Sequence, residues 1–272
     1  MSGRRTRTVS VGGVSSFAGD DRGVSNVVGY ILVFSLITIT IGTVFAVGIT
    51  GVEDRREAER VANVERAFDV LDDNLRDIQR YGDPNRATEV RLAGGTLSID
   101  EETRVVLATT NDTDDLANET LAEWTSRRIA YQDEETTIAY DAGALVRGDG
   151  DGSVMLSEPR FVGADGRTTL PVVALVRGDT DDRVAGDGTV QITVVEGVNA
   201  NSETTRYEAA SGETLYLWIE TDQPEAWARY FERTDEFADA TPAGVDDAAV
   251  AAIEHDDEVY VREIVRLVGL QR

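Results

Sequence analysis

Residues 24–52 read VSNVVGYILVFSLITITIGTVFAVGITGV, and this stretch, which contains no charged side chain, decides the fold. About 20 apolar residues are enough to span the hydrocarbon core of a bilayer. A single Asp or Arg at the centre of such a helix would cost roughly 3 kcal/mol on insertion scales. A buried core helix of this length would normally carry one polar face. The sequence therefore predicts one transmembrane helix over residues 24–52.

The polar segment before this helix bears on its orientation. Residues 1–23 carry Arg4, Arg5, Arg7 and Arg22, and positive charge favours the cytoplasmic side of a membrane. The expected topology thus has the N-terminus inside the cell and the rest exported, although arginines also follow the helix at positions 55, 56 and 60. A secretory signal has an apolar region of about 7–15 residues, which this run exceeds. We therefore expect the helix to stay on the mature protein.

An amphipathic extension follows over residues 53–81. Its apolar residues are spaced three or four apart, as on one face of an α-helix. They are Val61, Val64, Phe68, Leu71, Leu75 and Ile78. Gly82 and Pro84 are typical of a helix end. The apolar stripe requires a partner surface, either the domain that follows or a second helix in a coiled coil.

From residue 88 to residue 272 the pattern changes to short strands with a period of two, separated by turns. The first two runs, on either side of Gly94-Gly95, predict a β-hairpin. The other predicted strands lie at 105–108, 129–131, 137–140, 144–147, 154–156, 171–176, 190–195, 214–219 and 259–268. The predicted fold class is α+β: a long N-terminal transmembrane and amphipathic helix followed by a mainly antiparallel β domain.

A short second helix is predicted within the β domain. Thr221 or Asp222 is a suitable cap, and Pro224 suits the first turn. The aromatic residues of the sequence AWARYF, which begins at position 226, share one face of this helix. That spacing favours a helix anchored in a core over an aromatic platform for a ligand.

The charge of the chain limits its partners. The formal net charge is −25, the pI is about 4.3, and all 26 strongly basic residues are arginine, because the sequence contains no lysine. Binding to nucleic acid requires a concentrated basic face, so nucleic acid is excluded as an expected partner. An acidic surface with arginine as the strong cation favours a salt-rich environment, where a Debye length of about 3 Å screens self-repulsion. An ordinary acidic protein is the alternative.

The residue inventory also argues against catalysis. There is no cysteine, so disulfides and thiolate chemistry are excluded, and the single histidine, His255, lies in an acidic turn. No phosphate loop, metal-ligand spacing or paired catalytic motif stands out. We therefore expect no enzyme activity, no metal and no cofactor. Asn111 and Asn118 each begin an N-glycosylation sequon in a polar loop, which is usable on an exported surface.

One short motif resembles a known processing signal. The sequence DRGVSNVVG, residues 21–29, resembles the class III signal of archaeal type IV pilins, including those of salt-loving archaea. In that family a prepilin peptidase cuts after the glycine and the apolar helix is retained. The resemblance implies that residues 1–23 are a leader, that Arg22 and Gly23 precede the cut, and that Val24 is the new N-terminus. Two positions depart from familiar patterns: Asn26 replaces a common proline, and Val28 replaces the glutamate of bacterial pilins.

The resemblance also carries expectations about function. It implies a pilin-like fold and an exported, membrane-inserted subunit or minor component of a surface filament. Its partners would be membrane lipid, the prepilin peptidase and other pilin subunits, which it would meet through the N-terminal helix. Residues 88–272 would form an acidic domain outside the cell. The alternative is a single-pass, membrane-anchored surface protein that does not polymerise.

Overall fold

The structure is a computed structural model. It describes residues 21–81, 85–99, 101–110, 120–133, 136–150, 152–164, 166–196, 203–210, 213–241, 247–253 and 258–272. The chain divides into two compact units, residues 1–57 and residues 58–272.

Helix α1 (Asp21–Tyr81) covers both helical segments that the sequence predicts. Its first part, up to residue 57, belongs to the first unit, and its remainder belongs to the second. Ala, Leu, Val, Ile, Glu and Arg make up most of the helix, and these residues either favour helix or are tolerated in an apolar environment.

In its described residues, the second unit consists mainly of strands that form three sheets. The strands are β1 (Asn85–Arg91), β2 (Thr96–Ser98), β3 (Glu102–Thr110), β4 (Thr120–Arg127), β5 (Ile129–Asp133), β6 (Thr136–Asp141), β7 (Ala144–Asp149), β8 (Gly152–Ser157), β9 (Val162–Ala164), β10 (Arg167–Arg177), β11 (Arg183–Ala185), β12 (Thr189–Val195), β13 (Glu203–Tyr207), β14 (Thr214–Glu220), β15 (Phe237–Thr241), β16 (Ala248–Ile253) and β17 (Glu258–Gln271). Helix α2 (Pro224–Arg233) lies between β14 and β15.

The first sheet has the order β1-β12-β17-β10-β9, and β13 also pairs with β17. The second has the order β11-β2-β5-β6-β7-β8, and the third has the order β15-β16-β14-β3-β4. The described pairs are antiparallel except for β10 and β17, which run parallel. The α+β class with a mainly antiparallel β domain is thus confirmed in outline.

One hydrophobic core joins the second part of α1 to the first two sheets. The six apolar residues of the predicted helical stripe are all buried there, together with side chains of strands such as β1, β5, β6 and β12. Phe68, for example, is fully buried. Full burial of a side chain of this kind stabilises the fold by about 1.5–3 kcal/mol. The stripe therefore packs beneath the β domain, and the coiled-coil alternative is not needed to bury it.

A second core lies around α2. The helix buries Ala226, Trp227, Tyr230 and Phe231 against strands of all three sheets. The aromatic rings of this cluster, which include Phe237, lie with centroids 4.8–6.2 Å apart in tilted or edge-on arrangements. Such geometries add to area burial by about 0.5–1.5 kcal/mol per pair. The predicted core-anchoring role of the α2 aromatic residues is confirmed.

The predicted hairpin around Gly94-Gly95 is wrong. A tight turn is present, because the main-chain N–H of Gly95 donates to the carbonyl of Leu92 at 2.9 Å and Gly94 has a positive φ of 105°. However, β1 pairs with β12 in the first sheet, while β2 pairs with β5 and β11 in the second. The turn redirects the chain from one sheet to another, and pairing with distant strands determines the register.

The predicted cap of α2 is also wrong. The N-cap is Gln223, and its side chain makes no capping hydrogen bond. Instead, the hydroxyl of Ser153 on β8 accepts a hydrogen bond from the N–H of Ala226 at 3.1 Å. A side chain from a distant strand therefore supplies the acceptor that a local cap usually provides.

Candidate functional site

The apolar segment of α1 exposes its side chains within its own unit. Residues Asn26–Val47, 22 in number, have a mean hydropathy of 2.3, and none of the apolar window is buried. At 1.5 Å per residue these residues span about 33 Å, close to the roughly 30 Å of a bilayer core. The segment is thus long and apolar enough to cross a membrane. Contiguous apolar surface of this extent is unusual on a soluble monomer and marks a membrane or protein contact.

Three threonine hydroxyls within this segment are satisfied inside the helix. The hydroxyls of Thr38, Thr40 and Thr43 each donate to the main-chain carbonyl four residues earlier, at 2.8–2.9 Å. A Cβ added at Gly29 or Gly42 would meet nothing within 4 Å. The segment therefore presents an apolar surface on which the glycines have no side chain. Such positions permit close approach of helices in lipid.

The structure describes the proposed processing junction only as backbone. Arg22, Gly23 and Val24 lie in the first turn of α1, and their side chains are outside the description, as are residues 1–20. The sequon residues Asn111 and Asn118 also lie outside the described residues, as does His255. Cleavage and glycosylation at these positions therefore stay predictions.

The second part of α1 is joined to the second sheet by charged side chains as well as by its apolar stripe. Arg147 on β7 contacts the Glu65 carboxylate at 2.6 Å and the Asp149 carboxylate at 2.8 Å. Arg76 contacts the Asp72 carboxylate at 2.8 Å and donates to the hydroxyl of Ser157 at the end of β8. Asp72 is only 4% exposed, and burial raises the pKa of its carboxyl group above the usual range. These contacts fix the rotation of the helix against the strands.

A buried carboxylate organises the second core. Asp141, at the end of β6, is 1% exposed. Its oxygens accept hydrogen bonds from the hydroxyl of Thr103, from the hydroxyl of Thr221 at 2.5 Å and from the indole N–H of Trp227 at 3.2 Å. Three donors satisfy the carboxylate without a cation, and they join β3, β6 and α2. Sequence reasoning missed this cluster, because its members are distant in the chain and form no motif.

A polar pocket of about 380 Å³ lies at the N-terminal end of α2. The buried guanidinium of Arg128 contacts the carboxylates of Glu101, at 3.1 Å, and Asp222 beside it. The other residues of the strands that line this pocket are largely threonine, serine, glutamine and glycine. Among the described residues that line this pocket there is no histidine, and the Ser153 hydroxyl donates to the Glu225 carboxylate at 3.2 Å.

In the part of the chain that the structure describes, no three Asp, Glu or His side chains lie close enough together to hold a metal ion. The sequence-based expectations of no metal, no cofactor and no enzyme activity remain predictions.

The fold and its exposed helix define a class: a β-rich domain that follows an N-terminal helix long and apolar enough to cross a membrane. Within that class, the chain belongs to DUF7289, a family of unknown function, whose model matches residues 22–266. No curated protein and no solved structure matches the chain. The family match includes the apolar helix as well as most of the β domain.

Proposed function

We propose that this chain is a type IV pilin-like subunit, exported and held by its N-terminal helix, from which a prepilin peptidase removes residues 1–23. The observation that carries the proposal is the change of surface along α1. Residues 26–47 are apolar and exposed, whereas the stripe from Val61 to Ile78 is buried beneath the β domain. A filament subunit needs one helical part for lipid and neighbouring helices and another that is part of its own folded domain.

The extent of the family match supports the same proposal. The match begins at Arg22, next to the proposed cut between Gly23 and Val24, and continues to residue 266. The apolar helix and the β domain therefore belong to one family unit, as expected for a subunit whose helix is retained. The residues before Arg22 lie outside the match, which is consistent with a removable leader.

Assembly would depend on helix packing. Lipid chains and apolar side chains are similarly apolar, so helices associate in a membrane through closer packing rather than through a hydrophobic gain. Gly29 and Gly42 would permit such close approach. The nearby hydroxyls of Thr38, Thr40 and Thr43 already have hydrogen-bond partners within the helix. Val28 carries no charge, so subunits would join without the acid–amine pair used by bacterial pilins.

The proposal is tested by mass analysis of the N-terminal peptide of the chain from membranes of its native host. A mature peptide that begins at Val24 is expected. Gly23→Phe should block this cut, because the residue before it must be small, whereas Gly19→Phe, four residues earlier in the leader, should be processed normally. An intact N-terminus in the unsubstituted protein would contradict the proposal and favour the alternative of an anchored surface protein that does not polymerise.

Filament membership needs a separate measurement. Purified surface filaments should contain the processed chain, and Gly23→Phe should remove the chain from them while leaving it in the membrane fraction. Normal processing without any chain in filaments would support a mature membrane-anchored protein and would contradict the filament role.

A further inference from the structure

A cleft of about 610 Å³ in the second unit gathers arginine side chains from distant parts of the chain. Arg76 and Arg80 come from the last two turns of α1, Arg160 lies between β8 and β9, and Arg262 lies on β17. The cleft is bounded by the helix on one side and by β10 and β17 of the first sheet on the other. Its volume is within the range of pockets that hold small ligands.

The charge of this cleft differs from that of the chain as a whole. Among the described residues, two carboxylates line it, those of Asp73 and Asp77, and Asp77 already contacts Arg86 at 3.4 Å. Arg80, Arg160 and Arg262 have no carboxylate partner among the described residues. Arg80 instead lies 5.4 Å from the centre of the Tyr81 ring.

Most arginines near the sheets have carboxylate partners, and exceptions such as Arg91 and Arg229 do not line this cleft. Arg104, for example, contacts both Glu123 and Glu220, and Arg206 contacts both Glu208 and Glu258. The sequence has 51 acidic residues for 26 basic ones, so potential partners are plentiful. Three unpaired guanidinium groups in one cleft therefore leave a local excess of positive charge on an acidic protein.

A buried arginine adds to this excess. Arg266 lies four residues after Arg262 on β17 and therefore on the same face of the strand, since side chains alternate. It is 4% exposed, its Nη1 donates to the carbonyl of Val265 at 2.8 Å, and its Nε has no hydrogen-bond partner among the described residues. A buried cation without a carboxylate in the described part of the chain raises the electrostatic potential on this face of the sheet.

We propose that this cleft binds an oxyanion group, a sulfate, phosphate or carboxylate, either free or carried by a saccharide. Guanidinium groups present planar pairs of N–H donors that match the oxygens of such groups. Gln79 and Thr169 line the same cleft and add uncharged donors for neighbouring hydroxyl groups. The site is independent of N-terminal processing, and it adds a ligand-binding surface to the β domain.

The test is equilibrium dialysis of the full chain in non-ionic detergent against radiolabelled sulfate and phosphate at fixed ionic strength. Saturable binding of about one anion per chain is expected. The double variant Arg160→Gln/Arg262→Gln should bind at least about tenfold more weakly, because hydrogen bonds to charged groups are the strong ones. The control Arg91→Gln/Arg229→Gln removes two other exposed arginines and should bind within about twofold of the unsubstituted chain.

Two further ligands identify the source of the anion. A sugar monosulfate and a sugar uronate are compared with the corresponding uncharged sugar in the same assay. Binding of the free anions indicates a free oxyanion, whereas binding of the charged sugars alone indicates a saccharide-borne group, and both results support the site. Absence of saturable binding by every anion, equal binding by the Arg160→Gln/Arg262→Gln variant, or equal binding of the uncharged sugar would overturn the proposal.

Discussion

The two parts of α1 have opposite relations to their surroundings, although they belong to one helix. Ile37 in the first part and Val70 in the second are both 52% exposed. Ile37 lies among other exposed apolar residues, whereas Val70 lies between Asp69 and Leu71, on the polar side of a helix whose other side is buried. The exposed fraction of one residue therefore does not separate the two parts. Continuous apolar surface around it separates a segment apolar enough to cross a membrane from a helix of the folded domain.

The largest difference between the two parts is expected in the free energy of unfolding, when one phenylalanine in each part is replaced by alanine. Phe68→Ala removes a fully buried ring and should lower the free energy of unfolding by about 3–5 kcal/mol. In a domain of this size that loss lowers the melting temperature by about 10 °C. Phe45→Ala changes an exposed ring and should alter stability by less than about 0.5 kcal/mol. Thermal unfolding of the β domain, followed by circular dichroism in detergent, measures both; similar losses in the two variants would contradict the division of the helix.

An introduced charge should have the larger effect in the first part of α1, because it affects membrane insertion rather than folding stability. Ile37→Asp places a carboxylate in the apolar segment and should disfavour membrane insertion by roughly 3 kcal/mol, on the order of a hundredfold in the insertion equilibrium. Val70→Asp places one on an exposed polar side and should leave insertion unchanged. The fraction of chain that remains in alkali-washed membranes is the measurement. Equal retention of the two variants would count against a membrane segment at residues 26–47.

A smaller effect is expected from the ion pair between α1 and β7. Glu65→Gln removes the negative charge from the 2.6 Å contact with Arg147, which keeps its contact with Asp149. Both partners are partly exposed, so the loss of stability should be at most about 1 kcal/mol. Glu59→Gln, an exposed position on the same helix, should have no measurable effect. Urea denaturation of the two variants measures the difference, and a larger loss for Glu59→Gln would show that this ion pair does not fix the helix.

The smallest expected effect depends on pH. Burial raises the pKa of Asp72, so the folded protein keeps a proton that the unfolded chain has already released. The stability linked to this proton is complete below the ordinary aspartate pKa of about 3.9 and is lost as pH rises through the folded-state pKa. Asp72→Asn cannot titrate, so its stability relative to the unsubstituted protein should increase with pH across that window. Denaturation curves measured at several pH values test this, with Asp69→Asn as an exposed control; a flat difference for Asp72→Asn would contradict it.

Sequence patterns located most of the elements that have strong periodicity. The six residues of the helical stripe, the aromatic face of α2 and alternating strands such as β12 and β14 are confirmed, because one-sided burial imposes its period on the sequence. Strand β16 was missed. Its sequence AAVAAI is buried on both faces, so it lacks alternation and has low intrinsic strand propensity.

The sites that sequence reasoning missed depend on contacts between distant residues. The turn at Gly94 looks like a hairpin turn locally, but the pairing of β1 with β12 is decided about a hundred residues away. The cluster on Asp141 and the arginine cleft each combine residues from three or more elements with no common spacing. Only the fold brings such groups together. The apolar run at residues 24–52 can be recognised in the sequence because its residues are contiguous.

The central claim, that the apolar part of α1 lies in lipid or among other helices while the rest belongs to an exported domain, can be tested directly because the chain contains no cysteine. Single Ile37→Cys and Val70→Cys variants would be treated on intact cells with a membrane-impermeant maleimide. We predict that Val70→Cys is labelled, and that Ile37→Cys is labelled only after denaturation in detergent. Labelling of Ile37→Cys on intact cells, or protection of Val70→Cys, would contradict the account.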